Sequence, residues 1–225
     1  MNHLELHNYY CQKTNEVPEL KALRDFVERK AFGFGERSFY WMWKLIVDEL
    51  PNHFSLLEIG VFRGQTLALV QMLAQLAGKT CSVYGVTPLD TTDGHWESDY
   101  KSDIHFLHNY FALNQPTIIE GLSTEPEIIE SVKVLKSFDV VYIDGGHTYD
   151  VAKSDIINYA PLAKQYLVID DCCNDLDIPF GMFPGIQSVT DAVRDTIETP
   201  HSYSVVHNKV WDLTKNKLIL KHANT

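Results

Sequence analysis

Apolar positions along the chain fall into two periods. Short, nearly unbroken apolar runs at Ser55–Gly60 (SLLEIG), Cys81–Val86 (CSVYGV), Thr117–Gly121, Val140–Ile143 and Tyr166–Ile169 predict buried strands. Between them apolar residues recur at helical spacing. Leu69, Met72, Leu73 and Leu76 mark a helix over Thr66–Ala77, and Gly78 suits its C-terminal stop. Further helices are predicted over Ile104–Asn114, Glu125–Lys136, from Thr148 to about Lys164, and over Ile186–Glu198. Ser123 or Thr124 can cap the Glu125 helix, and Pro126 suits its first turn. Thr148 or Asp150 can cap the next, whose inner face carries Ala152, Ile156, Tyr159, Ala160 and Ala163. Alternating strands and helices predict a parallel sheet. Tyr203–Val206 and Val210–Leu213, joined by the turn HNK, predict an antiparallel edge hairpin.

The first part of the chain is patterned differently. Residues 1–17 are polar and aromatic without a clear period, which suits a loose arm or a partner contact. Glu19–Glu28 and Ser38–Leu50 read as helices separated by AFGFG at Ala31–Gly35. In the second, Phe39, Trp41, Met42, Trp43, Leu45, Ile46 and Leu50 spread apolar surface around much of the helix, as in helices buried on several sides. Packing on the sheet or on a second subunit is favoured over a substrate lid, with Gly33–Gly35 as a candidate hinge. The chain therefore divides into a helical accessory segment, 1–54, and a domain, 55–225. The aromatic helix leaves self-association, a homo-oligomer, open.

Composition narrows the function. The chain has 225 residues, 45% of them apolar and 22% charged, which suits one α/β domain with an accessory segment. A net charge of −11 leaves no basic stripe for nucleic acid and disfavours anionic membranes. No run is long enough to cross a membrane, and the N-terminus has no signal-peptide pattern. The four cysteines, Cys11, Cys81, Cys172 and Cys173, form no C-x-x-C, so free thiols in a reducing, cytoplasmic setting are expected. Cys172 and Cys173 read as small buried residues in preference to nucleophiles.

Candidate chemistry gathers at two strand ends. The run Val140–Ile143 ends in Asp144, and Tyr166–Ile169 ends in Asp170 and Asp171. As neighbouring parallel strands about 4.8 Å apart, they would place all three carboxylates at the sheet rim where ligands bind. Crowded carboxylates resist ionising together, and a divalent cation with oxygen ligands relieves this. His147, three residues beyond Asp144, has the chemistry of a base near neutrality. The turn after the first strand excludes some cofactors. Phe62 and Gln65 occupy the second and third glycine positions of a dinucleotide fingerprint, and no nucleotide-triphosphate loop occurs. Glu58, Gly60 and Gly64 remain; Gly60 would let a ligand rest on the strand end, and the helix start could hold a carboxylate. Neither a G-x-S-x-G elbow nor an H-E-x-x-H is present, which disfavours a hydrolase.

The ordered set EIGVFRGQT, VYGV, FDVVYIDGGHTYDVAKSDI and LVIDDC, over Ser55–Asp171, resembles class I S-adenosylmethionine-dependent methyltransferases. More narrowly, it resembles the metal-dependent O-methyltransferases of macrolide and aminocoumarin sugars, the macrocin type. The resemblance implies an α/β, Rossmann-like methyltransferase fold: a seven-stranded, mostly parallel sheet with an antiparallel C-terminal hairpin and helices on both faces. It implies S-adenosylmethionine at the carboxyl rim, with Glu58, Gly60 and Gly64 toward its methionine part and Asp144 also beside the cofactor. Arg63 could face the carboxylate or the surface. Thr87 stands where the family has an acidic ribose ligand, and Asp90 could substitute. Ser123 matches the adenine region or serves as a helix cap. Asp144, Asp170 and Asp171 match the metal ligands, which as hard oxygens imply Mg²⁺, and Asp144 and His147 carry catalysis with His147 as base. The loop Thr87–Asp103, with His95, Trp96, Asp99 and Tyr100, could close over substrate or pack between subunits; Tyr149 could touch substrate or the core. The expected activity is Mg²⁺-assisted O-methylation of a small-molecule hydroxyl, such as a sugar or polyol. The alternatives are a non-catalytic cofactor-binding domain, or a metal-independent transferase with a nitrogen or carbon acceptor.

Overall fold

A computed structural model of the chain describes residues 1–89 and 99–221. Three helices, α1 (His3–Glu16), α2 (Pro18–Lys30) and α3 (Arg37–Glu49), precede the sheet. Then β1 (His53–Ile59), α4 (Gln65–Leu76), β2 (Thr80–Thr87), α5 (Tyr100–Tyr110), β3 (Thr117–Glu120), α6 (Pro126–Val134) and β4 (Phe138–Ile143) alternate. The chain continues through α7 (Tyr149–Tyr159), a short 3₁₀ turn, β5 (Ala163–Ile169), α8 (Gln187–Thr196), β6 (Tyr203–Val205) and β7 (Asn208–Asp212). The strands form one sheet in the order β3-β2-β1-β4-β5-β7-β6. β1 to β5 pair in parallel, and β7 pairs antiparallel with both β5 and β6. The predicted architecture and hairpin edge are thus present.

The helix from Thr148 ends at Tyr159, and Ala163 opens β5 instead of lying on its inner face. Two further local expectations need correction. The first seventeen residues are no loose arm. Asn2 and Glu5 form a reciprocal capping box that starts α1, and its buried residues are Tyr10 and Thr14. So little of the helix is buried that its apolar period was weak. The second concerns α6, whose N-cap is Glu125 rather than Ser123 or Thr124. Glu125 Oε2 instead accepts from the Leu122 N–H at 3.1 Å. Thr148 does cap α7, accepting from the Val151 N–H. The Ala31–Gly35 break is tied down: the Phe34 and Gly35 carbonyls accept from Arg24, and Gln65 also reaches Phe34.

The sheet separates two apolar layers by strand parity. Leu56, Val140, Tyr142, Tyr166 and Val168 join α1 to α5 on one face. Leu57, Ile59, Val141, Ile143, Leu167 and Ile169 join α6, α7 and α8 on the other. Tyr142 is the aromatic member of its strand on the first face, and its ring lies 5.4 Å from Trp43 at 83° and 6.1 Å from Phe39. The aromatic helix α3 therefore packs on the sheet, as its pattern favoured. Cys172 and Cys173 are fully buried and unpaired. Among the described residues no helix is long and apolar enough to cross a membrane.

Trp43 is fully buried in this layer. Trp43→Ala should lower stability by about 3–5 kcal/mol in urea unfolding. A loss below about 1 kcal/mol would mean that α3 does not rest on the sheet as described.

Candidate active site at the carboxyl rim

Parity brings the acidic side chains together. Leu56, Val140 and Val168 face α3, so Glu58, Tyr142, Asp144 and Asp170, at even steps along the same strands, point to that side. Glu58 lies opposite Tyr142 in the β1–β4 register, and Tyr142 opposite Val168 in β4–β5. A cavity of about 480 Å³ opens there, in the usual range for small-molecule sites. Glu58, Gly60, Asp144, His147, Asp170 and Asp171 all line it.

The Tyr142 hydroxyl sits between two carboxylates, 3.1 Å from Asp144 Oδ2 and 3.1 Å from Asp170 Oδ2. One hydroxyl hydrogen serves one of them at a time. The crowding shows in acidity. Burial first, then Asp170, Asp171 and Glu58, holds the Asp144 carboxyl well above the usual carboxylate range. Burial pushes Glu58 up to about 8, with Asp170 adding to it. Burial and Asp170 raise Asp171 to about 6. Glu58 Oε2 and Asp170 Oδ1 are buried and have no hydrogen-bond partner among the described residues.

Two histidines flank these acids. His147 Nε2 is 3.3 Å from Asp171 Oδ2, and its side chain is 47% exposed. His207, in the β6–β7 turn, is buried with Nε2 3.2 Å from Asp170 Oδ1 and Nδ1 3.7 Å from Glu36 Oε2. Burial works to lower the His207 pKa, but Asp170, Glu36 and Asp171 outweigh it and raise it. Ligand atoms of Asp170, Asp171 and His207 lie within 4.8 Å of one another. Of the three predicted metal ligands, two meet there with His207; Asp144 stands beside them, joined to Asp170 through Tyr142. Convergent oxygen and nitrogen atoms, one of them an orphaned buried carboxylate oxygen, fit a divalent cation. The unpartnered Glu58 oxygen in the cavity wall suits a cationic or hydroxyl donor on a ligand.

Backbone geometry fixes the rim. Gly60 has φ +90°, and a Cβ there would stand 1.9 Å from the Asp144 carbonyl oxygen. Its first requirement is thus the close crossing of β1 and β4, not only room for a ligand. Asp171 has φ +53°, held by its carbonyl accepting from Ile186 N–H at 2.8 Å. Such a non-glycine residue is uncommon and typical of functional sites. Beneath the Gly145–Gly146 turn lies Asp155, fully buried. Burial raises its carboxyl to about 7. A Cβ on Gly145 would meet Asp155 Oδ2 at 2.6 Å.

Other predicted residues sit farther out. Arg63 pairs with Asp103 at 3.0 Å, donates to the Ala31 carbonyl and stacks by Phe62, so it clamps the first turn to the N-terminal segment. Gly64, φ +82°, is the N-cap of α4. Thr87 is buried at the end of β2 and accepts from the Leu89 N–H at 3.3 Å. The Ser123 carbonyl accepts from Tyr159 at 2.7 Å. Asp99 caps α5, and Tyr100 packs on Phe62. The Tyr149 hydroxyl donates to Asp195 at 3.1 Å. Asp90, His95 and Trp96 lie outside the described residues. Tyr142, Glu36 and His207 were missed. Tyr142 carried a signal: it is two residues before Asp144 and therefore shares its face. Glu36 and His207 carried none, because only the fold brings them to the rim.

No curated protein sequence matches the chain. An O-methyltransferase from Bacillus cereus in complex with SAH superposes with TM-score 0.56 at 11% identity, over 89% of this chain and 96% of that one. A TDP-rhamnose 3'-O-methyltransferase of calicheamicin biosynthesis gives 0.52 at 12% identity, over 93% of both chains. An SAH-bound methyltransferase from Podospora anserina gives 0.52 at 11%, over 91% of this chain and 86% of that one. These likenesses concern the fold. The family described as a methyltransferase domain matches residues 57–172. That span exceeds half the chain and holds both acidic strand ends, so the chain belongs to the methyltransferase domain family.

Proposed function

We propose that the chain is a metal-assisted, macrocin-type O-methyltransferase acting on a hydroxyl of a small molecule such as a sugar or polyol. The observation that carries this reading is one cavity walled by Glu58, Asp144, His147, Asp170 and Asp171. Residues 1–54 would act as an accessory segment that closes the acceptor side, since Phe32, Phe34, Glu36 and Phe39 also line it.

S-adenosylmethionine, when bound, supplies an electrophilic methyl group on a sulfonium. Asp170 and Asp171, with Asp144 beside them, would hold a divalent cation, which would supply Lewis acidity at the acceptor hydroxyl. Glu58 offers its unpartnered oxygen to the cofactor's donor groups. His147 is the proton acceptor: its ring is half exposed and can pass the proton to water, and Asp171 Oδ2 at 3.3 Å from Nε2 orients it. Transfer to an acceptor would form an oxygen–methyl bond as the donor's sulfur–methyl bond breaks with its electron pair left on sulfur, giving a methyl ether and S-adenosylhomocysteine. His147 would take the hydroxyl proton. The apolar wall of Phe32, Phe39, Phe62 and Phe183 excludes water from the transfer.

Two outcomes test this. With a panel of sugars and vicinal diols, methyl transfer should vanish in EDTA and return with added divalent ion, while calorimetry shows SAH binding retained. Full transfer in EDTA would support a metal-independent transferase, and no SAH binding would remove cofactor use altogether. His147→Ala should lower kcat by about 10²–10⁴-fold with SAH affinity little changed. Unchanged kcat would take the base role from His147.

A further inference from the structure

We infer that His207 is a ligand of the same ion, so that the rim selects a metal of the Mn²⁺, Fe²⁺ or Co²⁺ class over Mg²⁺. This rests on the reading above that a divalent cation occupies the rim. The sequence motif offered oxygens only; the fold adds an imidazole from the β6–β7 turn, 36 residues beyond Asp171.

The geometry has three parts. First, two ligands at about 2.1 Å from one ion stand about 3 Å apart when adjacent. His207 Nε2 is 3.2 Å from Asp170 Oδ1, and both atoms converge with Asp171 within 4.8 Å. Second, that contact is not an aligned hydrogen bond. Among the described residues Asp170 Oδ1 remains buried without a hydrogen-bond partner despite the proximity, so it is open to a ligand. Third, the opposite nitrogen is backed by a carboxylate. His207 Nδ1 is 3.7 Å from Glu36 Oε2, and Glu36 Oε2 has no hydrogen-bond partner among the described residues. A small closure would give the carboxylate–histidine–metal arrangement that orients ligating imidazoles.

Burial separates the two histidines. His207 is 6% exposed, and Phe183 packs on its ring at 5.6 Å, so it is held in place. His147 is half exposed and free to exchange protons with solvent. An imidazole beside two carboxylates shifts preference from Mg²⁺, which favours oxygen ligands and water, toward borderline divalent metals. Glu36 lies between α2 and α3, so the accessory segment would also orient the metal ligand.

The test uses Mn²⁺ as probe with the full-length wild type, His207→Gln and His147→Ala. Pulsed electron paramagnetic resonance should show ¹⁴N coupling to Mn²⁺ in wild type and His147→Ala, and none in His207→Gln. In calorimetry, wild type should bind Mn²⁺ at least about tenfold more tightly than Mg²⁺. His207→Gln should lose most of that preference while retaining wild-type SAH binding, which reports an intact fold. Mn²⁺ bound without nitrogen coupling, or a preference unchanged in His207→Gln, would overturn the His207 assignment and leave the metal-assisted reading standing. No Mn²⁺ or Mg²⁺ binding to wild type would overturn both. If His207→Gln fails to bind SAH, Glu36→Gln gives a second reading. It should weaken Mn²⁺ binding with nitrogen coupling retained, and unchanged affinity together with absent coupling in wild type would overturn the assignment.

Discussion

Carboxylates crowded around one tyrosine hydroxyl govern this structure. Tyr142 lies between Asp144 and Asp170, with Glu58 on the neighbouring strand and Asp171 next in the chain. Two like charges 4 Å apart repel by about 4 kcal/mol at an effective dielectric of 20. A single phenolic hydrogen cannot offset several such pairs. The protein alone answers by holding Asp144 and Glu58 toward their neutral forms. A bound cation would reverse that logic and make the ionised carboxylates the favoured state. The same crowding that opposes folding thus suits the proposed occupants, a divalent ion and a sulfonium donor.

The fold enforces the crowding with few devices. Strand parity sends Glu58, Tyr142, Asp144 and Asp170 to one face. Gly60 lets the ends of β1 and β4 cross closely, and the left-handed Asp171 turns the end of β5 toward the cavity. Trp43 and Phe39 pack on the Tyr142 ring and hold its hydroxyl at the rim. The N-terminal helices are therefore part of the core that positions the site, and they bring Glu36 to His207.

Much of this was legible in the chain. Apolar runs ending in Asp144 and in Asp170–Asp171 marked two adjacent parallel strands, because buried strands have little choice of residue and carboxylates collect at their ends. The helix α1 was not legible, since only Tyr10 and Thr14 are buried and its signal was the Asn2–Glu5 cap. The cap at Ser123 failed because Glu125 supplied its own local hydrogen bond. His207 and Glu36 were beyond sequence reasoning: 171 positions separate them, and a hairpin turn and a helix linker carry no period that foretells their meeting. Arg63 was read as a cofactor or surface residue, yet its clamp to Asp103 and Ala31 depends on α5 and α2 arriving at the same turn.

The central claim, that the rim carboxylates gather around one ion beside the donor pocket, meets its most direct test in anomalous diffraction from crystals grown with Mn²⁺ and S-adenosylhomocysteine. The account predicts a single strong peak with Asp170 and Asp171 oxygens within about 2.3 Å, and S-adenosylhomocysteine in the cavity lined by Glu58. A cavity filled by cofactor with no anomalous density at the rim, or density only at surface carboxylates, would contradict it.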